Sequence, residues 1–148
     1  MKATTSAPAP LQYTLHDELP ADACGPVDAG LGASNDAAAP LHEVLPLGCF
    51  VHRPDGQVVG GAVGRTWGSC CELQQLWVEP ALRRGGVGKR LVEQFHERAE
   101  ARGCRTFYLE TFSFQAPNLY RSLGYEARLE LHGFGHGIVK YTMVRELP

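Results

Sequence analysis

The ten residues from Ala81 to Arg90, ALRRGGVGKR, contain three glycines and four cationic side chains. Glycine lets a backbone approach a ligand closely and turn several N–H groups toward one point, and such concave clusters of amides bind anions. Arg83, Arg84, Lys89 and Arg90 concentrate positive charge in the same place. The chemistry this predicts is capture of a small anion, a phosphate above all. Two common phosphate loops do not fit. A nucleoside-triphosphate loop requires G-x-x-x-x-G-K-[ST], and although Gly88-Lys89 supplies its middle, Arg83 replaces the first glycine and Arg90 the hydroxyl residue that would ligate Mg²⁺. A dinucleotide fingerprint requires G-x-G-x-x-G; Gly86 and Gly88 satisfy it, but Leu91 stands at the last glycine. The pattern that does fit is R-x-x-G-x-G, on Arg83, Gly86 and Gly88.

Other reactive side chains carry less. His132 and His136 are four apart, but Gly133 and Gly135 between them argue against a helical zinc pair, so they read as turn residues or the rim of a pocket. The five cysteines, Cys24, Cys49, Cys70, Cys71 and Cys104, are odd in number and match neither a zinc spacing nor a disulfide framework. The expectation is reduced thiols in a cytoplasmic protein, and no metal.

Reactive residues act only where neighbouring elements hold them. Just before the loop, CELQQLWV reads as a strand, with Leu73 and Gln75 on one side and Glu72, Gln74, Leu76 and Val78 on the other by simple alternation. After the loop, Val87, Leu91, Phe95 and Ala99 recur every four positions beside Val92, which predicts an amphipathic helix. His96 falls at the flank of that stripe, and Gly103 suits the helix end. The glycines thus lie at a strand-to-helix junction, where free N–H groups and the positive end of the helix dipole converge. Upstream, Leu47–Arg53 and Val58–Thr66 form a predicted hairpin around Pro54-Asp55-Gly56. LQYTLHDEL alternates through Leu11, Tyr13 and Leu15 and predicts a first strand, while Pro20 to Pro40 reads as one or two short helices or a loop. Downstream come a buried strand, RTFYLET, a short helix opened by Pro117 and closed by Gly124, and two strands, Ala127–Leu131 and Ile138–Arg145, around HGFGHG. Phe112, Phe114 and Gln115 divide between core and cleft wall, and Trp67 and Trp77 read as core or interface. Residues 1–10 read as a disordered tail and 11–148 as a single α/β (α+β) domain.

Composition narrows the partners. With a formal net charge of −2 and 20% charged residues, the 148-residue chain lacks the positive surplus that nucleic acid or an anionic membrane would need. It has no apolar run long enough for a membrane span and no signal-peptide core behind MKATTSAPAP.

Three parts in order, LQQLWVEP, RRGGVGKRL and APNLYRSLGYEA, resemble the GNAT superfamily of acetyl-coenzyme A-dependent N-acetyltransferases from about Leu47 to Leu147. The resemblance implies a mixed, mostly antiparallel twisted sheet of six to seven strands, splayed at the strand before the loop. It implies acetyl-coenzyme A as co-substrate. Arg83, Arg84, Gly85, Gly86, Val87, Gly88 and Lys89 would hold its diphosphate. Leu76, Trp77 and Val78 would pair with pantetheine like an added strand, with the Val78 N–H aimed at the thioester oxygen. Asn118 would bond the pantetheine.

Transfer to an amine sets two proton problems. An alkylammonium with a pKa near 10.4 is about 3.4 units above neutral pH, so freeing its lone pair costs roughly 4–5 kcal/mol. The resemblance gives Glu72 as the general base, directly or through water, on even spacing that puts it on the face of Val78. The leaving thiolate must be protonated, and Tyr120 matches the family's general acid. The acceptor implied is a small-molecule or peptide amine, with residues 21–45 shaping its site, and a homodimer through the last strand is also implied. The competing readings are a coenzyme A-binding sensor or partner module without turnover, and transfer of a longer acyl group.

Overall fold

The computed structural model describes residues 7–148. The tail predicted over residues 1–10 therefore lies partly outside the described residues, and its remainder, 7–10, has no regular structure. Two compact units are formed, Met1–Leu41 and His42–Pro148.

The first unit corrects one expectation. Leu11, Tyr13 and Leu15 form no strand, and all three are almost fully exposed. Alternation alone does not make a strand; a neighbouring edge must accept its N–H and C=O groups, and no described strand pairing uses these residues. The segment between Pro20 and Pro40 is one helix, α1 (Ala21–Ala38), with Pro26 inside it and no buried residue.

The second unit is a six-stranded sheet of order β1-β2-β3-β4-β6-β5: β1 Leu45–His52, β2 Val58–Trp67, β3 Cys70–Val78, β4 Thr106–Phe112, β5 Glu126–Leu131 and β6 Lys140–Glu146. All neighbours are antiparallel except β3 and β4. The predicted hairpin forms as β1 and β2. Gly56 takes φ +93° in its turn, and Asp55 Oδ1 accepts the Gln57 N–H at 2.9 Å.

Helix α2 (Val87–Ala101) lies on one face of β1–β3 and buries Leu91, Val92, Phe95, His96 and Ala99. Gly64 on β2 is part of that fit: a Cβ there would collide with the Glu72 carbonyl oxygen and come within 2.9 Å of the Phe95 ring. The short helix α3 (Pro117–Ser122) adds Tyr120 to the core, which centres on Phe95, Phe107, Leu109 and Met143. No helix of the described residues is long and apolar enough to cross a membrane.

One irregularity matters for the site. Val63 pairs with Gln75 but Gly64 with Leu73, so β3 carries one extra residue, Gln74. A bulge of this kind inverts the alternation beyond it. Cys71, Leu73, Leu76 and Val78 lie opposite Thr66, Gly64, Ala62 and Gly60 on the α2 face, and Glu72, Gln75 and Trp77 lie on the other. The expectation that even spacing puts Glu72 on the face of Val78 is therefore wrong.

Candidate active site

The two parallel strands separate early. β3 and β4 pair only over Cys70–Glu72 and Thr106–Tyr108. Beyond that they diverge and leave a cleft of about 980 Å³, with Leu73–Val78 on one wall and Leu109–Thr111 on the other. This is the predicted splay. Arg83, Arg84, Gly86, Gly88 and Lys89 line one end, and Phe114, Gln115, Leu119 and Tyr120 line the α3 side. Gly85 and Val87 complete the loop between those end residues.

Hydrogen bonding shows which amides of β3 are free. The Glu79 N–H bonds the Val59 carbonyl at 2.8 Å. In an antiparallel ladder alternate amides turn the same way, so Trp77 and Gln75 also turn toward β2. Leu76 and Val78 then direct their N–H groups to the opposite side, where β4 has moved away. They form an unpaired donor edge along the cleft.

The loop after β3 is shaped by left-handed backbone. Arg84 has φ +66° and Gly86, at the N-cap of α2, has φ +82°. A non-glycine residue at positive φ is uncommon and marks a constrained turn. Arg83 is spent on structure: its Nε donates to the Val78 carbonyl at 2.9 Å and ties the loop back to β3. No described backbone hydrogen bond takes its N–H from Arg84 through Lys89. The first amides of a helix have no intrahelical acceptor, and no side chain caps α2. Six N–H groups, from Arg84 to Lys89, are therefore without a described backbone acceptor beside the positive end of the α2 dipole, and helix N-termini of this kind suit a phosphate.

Tyr120 is buried against Tyr125, ring centroids 5.9 Å apart, yet reaches the cleft. Burial pushes its phenol up to about 12, so it stays protonated at neutral pH. Tyr125, read as core, is core and is committed to His96, with its hydroxyl 2.7 Å from Nε2. His96 is not a flank residue: it is buried, and Arg145 donates to its Nδ1 at 3.2 Å. Burial and then the Arg145 charge lower it to about 4.

Glu72 is half-buried at the apex of the splay. Its Oε2 accepts from Arg65 Nε at 3.0 Å and from the Tyr108 hydroxyl at 3.1 Å, while Oε1 takes part in no described hydrogen bond. It does not line the cleft itself. Asn118 is exposed, its Oδ1 held by Arg121 at 3.0 Å, and it too stands outside the cleft lining. Glu110 does line the cleft and was missed; it sits on the Glu72 face and pairs with Lys140 at 2.9 Å. Alternation of RTFYLET would have flagged it as an outward acid. Trp67 and Trp77 are both substantially exposed rather than core. All five cysteines are free thiols. No group of three metal-ligating side chains occurs among the described residues.

The acetyltransferase (GNAT) family profile matches residues 16–125. The chain belongs to the GNAT acetyltransferase family. A blasticidin-S acetyltransferase from Streptomyces morookaense is 34% identical over 112 residues, 73% of this chain and 82% of that one. An IAA acetyltransferase from Azospirillum brasilense is 39% identical over 102 residues, 66% of this chain and 67% of that one. Among solved structures, an acetyltransferase from Bacillus cereus superposes with a TM-score of 0.74 at 21% identity, covering 90% of this chain and 98% of that chain. This GNAT chain is an acyltransferase built on the mixed, splayed sheet its sequence predicts.

Proposed function

We infer that the chain transfers the acetyl group of acetyl-coenzyme A directly to a primary amine. The observation that carries this is the cleft between β3 and β4. One end is a cradle of unbonded amides from Arg84 to Lys89, one wall is a strand edge with the Leu76 and Val78 N–H groups unpaired, and Tyr120 stands on the far side. A diphosphate joined to a chain of amides and ending in a thioester matches these three features in order.

In the reaction, the amine nitrogen attacks the thioester carbonyl. A C–N bond forms, the C–S bond breaks, and the amine's proton must leave while the thiolate gains one. The Val78 N–H stabilises charge on the carbonyl oxygen as it grows. Tyr120 supplies the thiolate's proton; like any phenol it carries that proton throughout the neutral range, and its place on the cleft wall is what brings it to the sulfur. The diphosphate is gripped on the α2 face, so the acceptor approaches from the other face, where Glu72 offers a free Oε1. The bulge at Gln74 turns Glu72 to the face opposite Val78, and on this reading a water relays the amine proton to Glu72.

The test is acetyl-coenzyme A with a panel of amines, scored by mass spectrometry of the acetylated product. Thiol reagents would also label the exposed Cys70. Acetylated amine is the expected product, and Tyr120→Phe should lower kcat by about 10²-fold or more while coenzyme affinity changes little. Tight binding of acetyl-coenzyme A with no product from any amine would point to a binding module instead. A large loss of coenzyme affinity in Tyr120→Phe would make that residue a packing element.

A further inference from the structure

The sheet face turned away from α2 carries an arrangement that acetyl transfer does not require. Phe50 on β1 pairs with Gly61 on β2, and Gly61 pairs with Trp77 on β3, so the three share that face in one cross-strand row. The Phe50 ring lies down on the sheet. A Cβ on Gly61 would come within 2.8 Å of Phe50 Cδ1, and one on Gly48 within 2.8 Å of Phe50 Cε2. The two glycines are what permit the flat pose. Phe50 and Trp77 are each 51% exposed, although large aromatics normally bury most of their surface. Across the cleft, Phe114 is 66% exposed and stacks on Phe112, with centroids 5.3 Å apart and planes 9° from parallel.

This surface runs into the reaction cleft, because Trp77 and Phe114 line it. The same face carries Glu72 at the apex, with one carboxylate oxygen unbonded. A flat apolar floor, on a face that also carries an open carboxylate oxygen of an acid already paired with Arg65, is complementary to a flat apolar body that carries an amine. We propose that the acceptor is a primary amine carried on an aromatic or heteroaromatic ring system, which lies against Trp77 and Phe50 on the β3 side and meets Phe114 on the β4 side. The proposal rests on the N-acetyltransferase reading and adds the acceptor's class to it. A ring held there meets Phe50, lying flat over its glycines, and Phe114, stacked on Phe112, and its side-chain amine extends toward the splay, where the thioester carbonyl is presented.

The test uses two amine pairs, phenylethylamine with butylamine and tryptamine with hexylamine, and compares kcat/KM, referred to the free-base concentration of each amine, within each pair for the full chain. The ring-bearing amine should be favoured about tenfold or more, since one stacked pair plus the area it buries exceeds that ratio. Trp77→Ala should collapse the ratio toward one and Trp77→Phe should keep it. Phe50→Ala should reduce it by a smaller factor. The within-pair ratio cancels any common effect of these changes on the donor side. Direct calorimetric binding of the same amines to protein saturated with coenzyme A separates the two readings. Ring-selective, Trp77-dependent binding without turnover would keep the aromatic site and overturn acetyl transfer. Turnover or binding with no preference for the ring, or a preference that survives Trp77→Ala, would overturn the aromatic site and leave acetyl transfer standing.

Discussion

At the scale of single residues, His96 is a buried titratable group held at both ring nitrogens. Arg145 has only donors, so Nδ1 must be the unprotonated nitrogen, and Nε2–H is left to donate to Tyr125. Protonating the ring would put a second cation beside the guanidinium inside the core. The folded pKa, lowered to about 4, lies below the ordinary value of 6.5. The unfolded chain therefore binds the proton first as pH falls. Stability from this group is complete above pH 6.5 and is lost as pH drops toward 4, by about 3 kcal/mol in all. Denaturant unfolding at neutral pH and near pH 4.5 should show most of that loss in the native protein. His96→Gln retains an acceptor and a donor but cannot titrate, so its stability should change much less between the two conditions. Equal slopes in the two proteins would assign the acid sensitivity to other groups. Tyr125 connects this network to the Tyr120 ring, so its rigidity also bears on how the proposed acid is held.

At the scale of elements, the bulge in β3 sets which side chains face the site, and Gly64 beside it leaves room for the close approach of β3 and α2. An added methyl at Gly64 meets the Glu72 carbonyl oxygen and the Phe95 ring together, and neither can step aside without moving β3 or α2. Gly64→Ala should destabilise the fold by about 2–3 kcal/mol, read as a lower denaturation midpoint. Gly56→Ala, strained at its positive φ but meeting nothing within 4 Å, should cost less. A larger effect at Gly56 would mean that the close approach of β2, β3 and α2 relaxes easily. These elements also show where a sequence can and cannot be read. The hairpin, the loop and α2 were legible because their signals are local: Pro54-Asp55-Gly56, three glycines in four positions, an apolar residue every fourth place. The bulge was not, because nothing in CELQQLWV says that Val63 and Gly64 on another strand will skip Gln74. That missing partner is why Glu72 was placed on the wrong face. Leu11 to Leu15 failed for a related reason, since its alternation was real but no edge pairs with it. Trp77, read as core or interface, is half exposed on the sheet face turned away from α2, and its strand alone does not say which face α2 will cover.

At the scale of the whole molecule, a chain of formal charge −2 has no general surplus to attract an anion, so local cations decide the matter. Its free cations near the cleft are few. Arg83 is bonded to the Val78 carbonyl, Lys89 stands 3.8 Å from Glu93, and Arg90 does not line the cleft, which leaves Arg84, on its left-handed turn, as the cation most available to a diphosphate. On the proposed site, two contributions to coenzyme affinity then respond differently to salt. The amide cradle acts at hydrogen-bond range and resists screening. The attraction of Arg84 and its neighbours acts over several ångströms and is screened, as the Debye length shrinks from roughly 14 Å to 4 Å between about 0.05 M and 0.5 M salt. Affinity for coenzyme A, measured by calorimetry across that range, should fall by about three- to tenfold and then level off rather than vanish. Arg84→Ala should be weaker at low salt, close to the native protein at high salt, and flatter between the two. Were Arg84→Ala to lose the same factor at every salt concentration, the arginine would be acting by a direct short bond, and the backbone cradle would carry less of the binding than its geometry assigns to it.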